Sequence, residues 1–99
     1  MKTKFLTPAR YELREIIIYY NEQREGLGLE FASELKQTLL RMKNYPMAWS
    51  PLTSRVRRCR VNRFPYSVIY EVRNNLLIIA AIQHHSKAPD SWRNRLMES

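Results

Sequence analysis

The chain has 99 residues, and its 44% hydrophobic content excludes a disordered protein and predicts one globular domain spanning residues 1–99. Seventeen lysines and arginines against nine acidic residues give a formal charge of +8, which predicts a polyanionic or acidic partner. The single cysteine, Cys59, excludes an intramolecular disulfide, and the lack of an apolar leader or membrane-length apolar run predicts a cytoplasmic protein without membrane association.

The first half of the chain predicts a short edge strand and two helices. The strand covers residues 4–6, and Thr7 is expected to cap a helix that has Pro8 in its first position and ends near residue 24. A Gly-Leu-Gly sequence then interrupts the chain before a second helix over residues 29–43. Because the link is so short, we expect the two helices to form an antiparallel hairpin.

Apolar residues at three- and four-residue spacing mark the buried face of each helix. The run of residues 16–20, three isoleucines and two tyrosines, would suit a strand by propensity, but the helix start and the helical spacing around it favour a helix. The face predicted for the first helix consists of Ala9, Leu13, Ile16, Ile17 and Tyr20, and that of the second of Phe31, Leu35, Leu39 and Met42.

The second half of the chain predicts a loop over residues 44–54, in which Trp49 folds back over the core, and then a sheet. The last strand is apolar on both faces, so it is either covered on both sides or keeps one face for a partner. In the latter case Leu77, Ile79 and Trp92 would form the open patch. The predicted strands cover residues 56–62, 66–72 and 76–83, with a tight turn at Asn74 and Asn75 between the second and the third.

A short final helix, capped by Asp90 or Ser91 and holding Trp92 and Leu96, completes the prediction. The expected fold class is α+β, with a helical hairpin packed on a small, mostly antiparallel sheet. The order of elements is β-α-α-β-β-β followed by the short C-terminal helix.

Basic residues concentrate on one predicted strand. In residues 58–62 the apolar Cys59 and Val61 alternate with Arg58 and Arg60, so one face is buried and the other cationic. Arginine pairs bidentately with phosphate and with carboxylate, which suits both a nucleic acid and an acidic protein. The predicted nucleic-acid or partner-binding residues are Arg57, Arg63, Tyr66, Arg73 and Trp92.

Two histidines follow the apolar strand, and adjacent strand residues point to opposite faces, so at most one of His84 and His85 joins the arginines. A histidine could carry a proton during phosphodiester cleavage, although packing or hydrogen bonding to a neighbour is the more common role. No metal site is evident, and no cofactor is expected. The candidate catalytic residues of a metal-independent endoribonuclease are Arg58, Arg60, His84, His85 and Lys87.

Four segments in this order resemble the RelE/ParE superfamily of toxins from bacterial type II toxin–antitoxin modules: YYNEQREGLGLEF, VRRCRV, FPYSVIYEV and IIAAIQHHSKAPDSW. The resemblance covers residues 8–96 and implies the same α+β fold. It also implies a cognate antitoxin, expected to be short and acidic, that holds the toxin harmless. One branch of the superfamily cleaves messenger RNA on the ribosome, and the other inhibits DNA gyrase.

The chain departs from the RNA-cleaving branch at three positions. Ser67 stands where those members have an arginine, and Trp92 stands where they tend to have a catalytic tyrosine. Lys87 replaces the arginine of the His-x-x-Arg-x-Pro ending, in which His84 and Pro89 match. Other RNA-cleaving members use a histidine and a carboxylate, for which Glu71 is available. We therefore expect a toxin that inhibits gyrase, with ribosome-dependent RNA cleavage and a non-toxic binding domain as the alternatives.

Overall fold

The computed structural model describes residues 1–87 and 90–97, which form two helices, a five-stranded sheet and one short helix. The α+β class and the order of the main elements are confirmed. The elements are β1 (Lys2–Phe5), α1 (Thr7–Gln23), α2 (Leu27–Asn44), β2 (Ser50–Pro51), β3 (Val56–Arg60), β4 (Tyr66–Arg73), β5 (Leu76–His84) and α3 (Arg93–Met97).

The strands lie in the order β1-β5-β4-β3-β2. Strands β2 to β5 pair antiparallel in succession, and β1 runs parallel to β5, with Lys2 opposite Leu76. Asn74 and Asn75 adopt φ values of 53° and 59°, so the predicted tight turn between β4 and β5 is confirmed. The sheet is therefore mostly antiparallel, and the two strands farthest apart in the sequence meet inside it.

The predicted loop between α2 and β3 contains a strand that sequence patterning missed. β2 is only two residues long and pairs with β3 at the sheet edge, where a proline such as Pro51 is tolerated. Trp49 packs against the main core as expected, and its carbonyl accepts a hydrogen bond of 2.8 Å from Arg57 Nη1. The loop is therefore attached to the sheet by the β2–β3 backbone pairing and by the Arg57 side chain.

The start of α1 corrects one prediction, because Thr7 is the first helical residue and not the cap. Leu6 occupies the cap position with an extended backbone (φ −68°, ψ 149°), and no side chain caps the helix. The Leu6 carbonyl accepts hydrogen bonds from the amides of Ala9 and Arg10 at 3.0 and 3.1 Å. Leu6 is held there because its own amide continues the β1–β5 ladder to Ile79, so the strand sets where the helix begins.

The two glycines of the helical link have different roles. Gly26 has a φ of 85° and supplies the left-handed turn before α2, which starts at Leu27 and not at residue 29 as predicted. Gly28 lies inside α2 and touches α1: a Cβ there would meet the Ile17 carbonyl and lie 2.7 Å from Asn21 Oδ1. The Gly28 amide donates a 2.8 Å hydrogen bond to that same Asn21 oxygen. Gly28 therefore sets the close approach of the hairpin.

A hydrophobic core lies on each side of the sheet. The hairpin covers the first face, where Tyr70 is fully buried and its hydroxyl donates a 2.6 Å hydrogen bond to the Pro46 carbonyl. Burial raises the pKa of Tyr70 to about 12. Buried residues of the first core include Ala9, Ile16, Phe31, Leu35, Met42, Cys59, Val61, Val68, Leu77, Ile79 and Ile82.

The C-terminal segment packs on the second face, which selects between the two alternatives for the last strand. Trp92 is 3% exposed and packs with Leu96 on Ile78, and Leu77 and Ile79 are fully buried under the hairpin. β5 is therefore covered on both sides. Trp92 lies in the turn directly before α3 rather than inside it.

An ion pair fastens α3 to α1 around the edge of β5. Beyond Phe5 the edge of β5 has no β1 residue beside it, and Glu12 Oε1 accepts a 3.0 Å hydrogen bond from the amide of Ile82. Arg95 donates to both Glu12 oxygens at 2.9 Å and to the Ala80 carbonyl at 3.0 Å. Two side chains thus satisfy a strand edge that would otherwise need a further strand.

Candidate functional site

The candidate site is a basic depression on the second face of the sheet, formed by Arg58 and Arg60 of β3, Ser67 of β4, and His85 just after β5. We call these four residues the basic site. Its volume is about 130 Å³, and an adjoining depression of about 40 Å³ extends it to Lys87. The five candidate catalytic residues, Arg58, Arg60, His84, His85 and Lys87, thus line the two adjoining depressions.

Strand alternation and register build the basic site. Arg58 and Arg60 point to the second face because Cys59 between them is buried in the first core, and they sit about 7 Å apart along β3. Arg60 lies opposite Ser67 in the ladder. Both guanidinium groups are exposed, and neither has an ion pair or a hydrogen bond with another described residue. They are therefore available to an anion.

His85 closes the basic site and is anchored at two points. Its Nε2 lies 3.0 Å from the hydroxyl of Ser67, which is only 2% exposed, and its amide donates a 2.9 Å hydrogen bond to the Pro65 carbonyl. Partial desolvation and the neighbouring Arg60 guanidinium lower the pKa of His85 below its usual value. His85 is therefore neutral at pH 7, with one ring nitrogen held by Ser67.

An NMR titration tests this electrostatic coupling. We expect His85 to titrate below about 6.5, and we expect Arg60→Gln to move its pKa upward by removing a neighbouring positive charge. Because a lowered folded-state pKa means fewer bound protons than in the unfolded chain, stability should fall as pH drops below about 6.5. Arg14→Gln, on α1, is the control; an equal shift in both variants would contradict the coupling.

His84 belongs to a different environment. Its ring lies 5.1 Å from the ring of Tyr66 in an edge arrangement, and its Nδ1 accepts hydrogen bonds from the Ser86 amide and hydroxyl group. Tyr66 in turn joins an aromatic cluster with Tyr20 and Phe31 on the hairpin side of the sheet. His84 therefore has packing contacts of its own, yet it also lines the smaller depression with Arg58 and His85, so the expectation that at most one histidine joins the arginines is wrong there.

Three predicted binding arginines are held by other residues. Arg57 donates to the Trp49 carbonyl, Arg63 pairs with Glu30 at 2.8 Å, and Arg73 pairs with Glu71. None of the three lines the basic site. Their contacts serve the fold, and their role in binding a nucleic acid or a partner stays a prediction.

Two further candidates for chemistry are not at the basic site. Trp92 is buried in the second core, so its indole is not available to stack on a base, and its predicted role in binding a nucleic acid is wrong in that respect. Glu71 is 4% exposed and lies four residues along β4 from Ser67, about 13 Å away. Pro89, the last residue of the matching histidine–proline ending, lies outside the described residues.

Sequence reasoning missed the part played by Ser67, which it treated only as a missing arginine. Its hydroxyl positions His85, and next to it Gln83 Nε2 donates a 2.8 Å hydrogen bond to Ser91 Oγ. The available signal was the alternation of β4, which put Ser67 on the side away from Val68 and Tyr70. That Ser67 lies opposite Arg60 depends on the register of β3 and β4, which the sequence does not reveal.

The described part of the chain holds no cluster of three or more metal-binding side chains. Within residues 1–87 and 90–97, no helix is both long and apolar enough to cross a membrane. What the basic site does offer is two free guanidinium groups, a hydroxyl and a neutral imidazole. This set can bind a phosphate or a carboxylate by charge-assisted hydrogen bonds.

Comparison with known families assigns the chain. The sequence model for the ParE toxin of the type II toxin–antitoxin system parDE matches residues 4–89. The chain belongs to the ParE toxin family. It is therefore the toxin component of a type II toxin–antitoxin system, and the resemblance noted in the sequence is confirmed on its ParE side.

Structural comparison agrees with the ParE assignment. A chain from the chromosomal ParDE toxin–antitoxin system of P. aeruginosa superposes with a TM-score of 0.67 and 18% sequence identity, covering 85% of this chain and 95% of that chain. At that identity the likeness establishes a shared fold. No curated protein is significantly similar in sequence.

Proposed function

We propose that this ParE-family toxin arrests growth by inhibiting DNA gyrase and that a short acidic antitoxin neutralises it. Both the target and the antitoxin are cytoplasmic in bacteria, so the proposal places the toxin there as well. The antitoxin follows from the ParDE pairing of the family, and the net charge of +8 suits an acidic partner.

The observation that carries the choice of target is the composition of the basic site. RNA cleavage requires one group to take the proton of the 2′-hydroxyl and another to protonate the leaving oxygen. Among its four residues, the basic site supplies only His85 for both, because Glu71 is buried about 13 Å away beside Arg73. His84 lines the adjoining depression, but its Nδ1 is occupied by Ser86. The basic site is thus better equipped to bind an anion than to cleave one.

Binding to gyrase would use the same two arginines. Arg58 and Arg60 are spaced about 7 Å apart along β3, close to the separation of successive phosphates on a DNA strand, and each can form a bidentate contact. The ligand would be the phosphate backbone of DNA held by gyrase or an acidic surface of the enzyme itself. In either case inhibition should weaken as salt concentration rises, because screening acts on exposed charges.

One observation favours the alternative, a ribosome-dependent endoribonuclease. His85 is neutral at pH 7, is positioned by Ser67 and stands beside two cations, as a general base next to a phosphate would. In this alternative Arg58, Arg60 and Lys87 would stabilise the negative charge of the transition state.

A combined assay distinguishes the targets. We expect the purified toxin to inhibit supercoiling by gyrase, and we expect the double variant Arg58→Ala/Arg60→Ala to need about tenfold more protein for equal inhibition, since it loses two charge-assisted contacts. Lys43→Ala/Arg55→Ala, which removes the same charge from exposed positions outside the basic site, is the matched control.

Message mapping in cells induced to express the toxin completes the test. Cuts inside translated messages that disappear in His85→Ala would support the ribonuclease and contradict the gyrase proposal. Growth that continues despite a folded product would favour the third possibility, a binding domain that has lost its toxicity.

A further inference from the structure

A separate depression lies where the C-terminal segment crosses the sheet, at the opposite end of β3 and β4 from the basic site. It is lined by the loop 53–55, the start of β3, the end of β4 and the C-terminal segment, and its volume is about 370 Å³. We call it the terminal cleft. Its described lining residues include none from the basic site or from the depression adjoining that site. The proposed function therefore does not use this concave surface.

The floor of the terminal cleft is apolar. Val56, Trp92 and Leu96 line it, belong to the second core and are each less than a tenth exposed. Met97 stands at its edge with 84% of the residue exposed. The cleft can therefore accept the apolar body of a small ligand.

The polar groups that line the terminal cleft are mainly hydrogen-bond donors. The Nε1–H of Trp92 is buried and has no hydrogen-bond partner among the described residues, although such a group normally has one. The Thr53 hydroxyl oxygen accepts the amides of Arg55 and Val56 at 3.2 and 3.0 Å, so its own proton is left to donate. The cleft therefore lacks an acceptor that a ligand could supply.

Arginines from three elements give the terminal cleft a surplus of positive charge. Arg73 pairs with the buried Glu71, the one carboxylate among the described lining residues. Arg55 is exposed, and its guanidinium forms no ion pair with another described residue. Arg93 lies over the Trp92 ring, 4.8 Å from its centroid. Two positive charges thus remain for an anion.

We propose that the terminal cleft binds a small amphipathic carboxylate. Its apolar body would pack on Val56 and Leu96, and its carboxylate would pair with Arg55 and Arg93 by charge-assisted hydrogen bonds. As Arg93 shifts from the indole ring toward the ligand, the Trp92 N–H gains a carboxylate oxygen as its acceptor.

The chemistry of the cleft favours a carboxylate over a phosphate. Inorganic phosphate would leave the apolar floor uncovered. A phosphate ester with an apolar body carries a second negative charge at pH 7, which the buried Glu71 carboxylate opposes. A singly charged anion meets the same donors with less repulsion.

The test is an NMR titration of the full-length, isotope-labelled toxin with sodium octanoate. We expect the indole N–H signal of Trp92 to move downfield, because this group gains an acceptor. Trp49 is the internal control, since its indole N–H is also buried without a partner but it packs on the first core, outside the cleft. Octanol, which lacks the charge, and acetate, which lacks the apolar body, should each bind about tenfold more weakly.

Matched variants locate the site. Arg93→Gln and Arg55→Gln should each weaken octanoate binding about fivefold to tenfold, because each removes one charge-assisted contact. Arg14→Gln on α1 removes the same charge from an exposed position outside the cleft and should leave binding unchanged. Both lining arginines are exposed, so we expect these variants to fold, and a thermal melt checks it.

Equal losses of binding in Arg93→Gln and Arg14→Gln, or equal movement of the two indole signals, would overturn the proposal. Acetate binding as tightly as octanoate would do so as well, because the apolar floor would then play no part. Tighter binding of octyl phosphate would contradict the choice of a carboxylate. None of these measurements involves growth arrest or gyrase, so their failure is distinguishable from failure of the proposed function.

Discussion

Gly28→Ala is expected to lower the free energy of unfolding by about 3 kcal/mol, combining overpacking of about 2 kcal/mol with a weakened hydrogen bond of about 1 kcal/mol. The new Cβ would collide with the Ile17 carbonyl, which is backbone and cannot move aside without separating the helices. It would also crowd Asn21 Oδ1, the acceptor of the Gly28 amide. For a domain of this size, Tm should fall by about 15 °C in a thermal melt.

The other glycine of the link is the matched control for this prediction. Gly26 has a φ of 85°, but a methyl group added there would meet no atom within 4 Å, so Gly26→Ala should cost only the left-handed conformation, about 1 kcal/mol. If both variants melted at the same temperature, close contact between the helices would not be the reason that Gly28→Ala destabilises the protein.

Removing Arg95 should have an effect of similar size, because two groups lose their partner at once. Arg95→Ala removes the donor to both Glu12 oxygens and to the Ala80 carbonyl and leaves the carboxylate only the Ile82 amide, at a cost of about 2–3 kcal/mol. The side chains of Arg95 and Glu12 are each 19% exposed, so the expected loss of stability is smaller than for a fully buried ion pair.

Hydrogen exchange gives this prediction a local readout. Glu12→Ala removes the acceptor of the Ile82 amide, so that amide should exchange faster by more than the global loss of stability explains. A double-mutant cycle between Glu12 and Arg95 should give a coupling of about 1–2 kcal/mol. Arg93→Ala, which removes an exposed arginine of the same short helix, should change stability by less than about 1 kcal/mol; an equal loss there would contradict the role of Arg95.

Elements with a repeating pattern were predictable, and elements defined by a single contact were not. The helical spacing in α1 and α2 and the alternation in β3 and β4 indicated type, order and buried face, because periodicity reflects burial directly. β2 has two residues and hence no period. The helix boundaries at Thr7 and Leu27 depend on a hydrogen bond to β5 and on the contact of Gly28 with α1, neither of which is local in sequence.

The candidate site shows the same division. Alternation put Arg58 and Arg60 on one exposed face, and this prediction needed no knowledge of the neighbouring strands. The residues that surround these two arginines depended on strand register, which placed Ser67 opposite Arg60. They also depended on a bulge near Ile69, because of which Ala80 and Ala81 lie on the same side of β5. The pairing of Arg63 with Glu30 joins residues far apart in sequence and was equally unreadable.

The parallel pairing of β1 with β5 has a consequence for how the chain folds. β1 emerges first during synthesis, yet its partner lies about 70 residues later, so the sheet cannot close until β5 has been made. Pairings of such long range carry a large loop-closure cost, and they slow folding relative to helical proteins of equal length. Until β5 is in place, the apolar face of the α1–α2 hairpin is not fully covered by the sheet. The newly made toxin is therefore most exposed to aggregation and proteolysis in the interval before β5 joins the sheet.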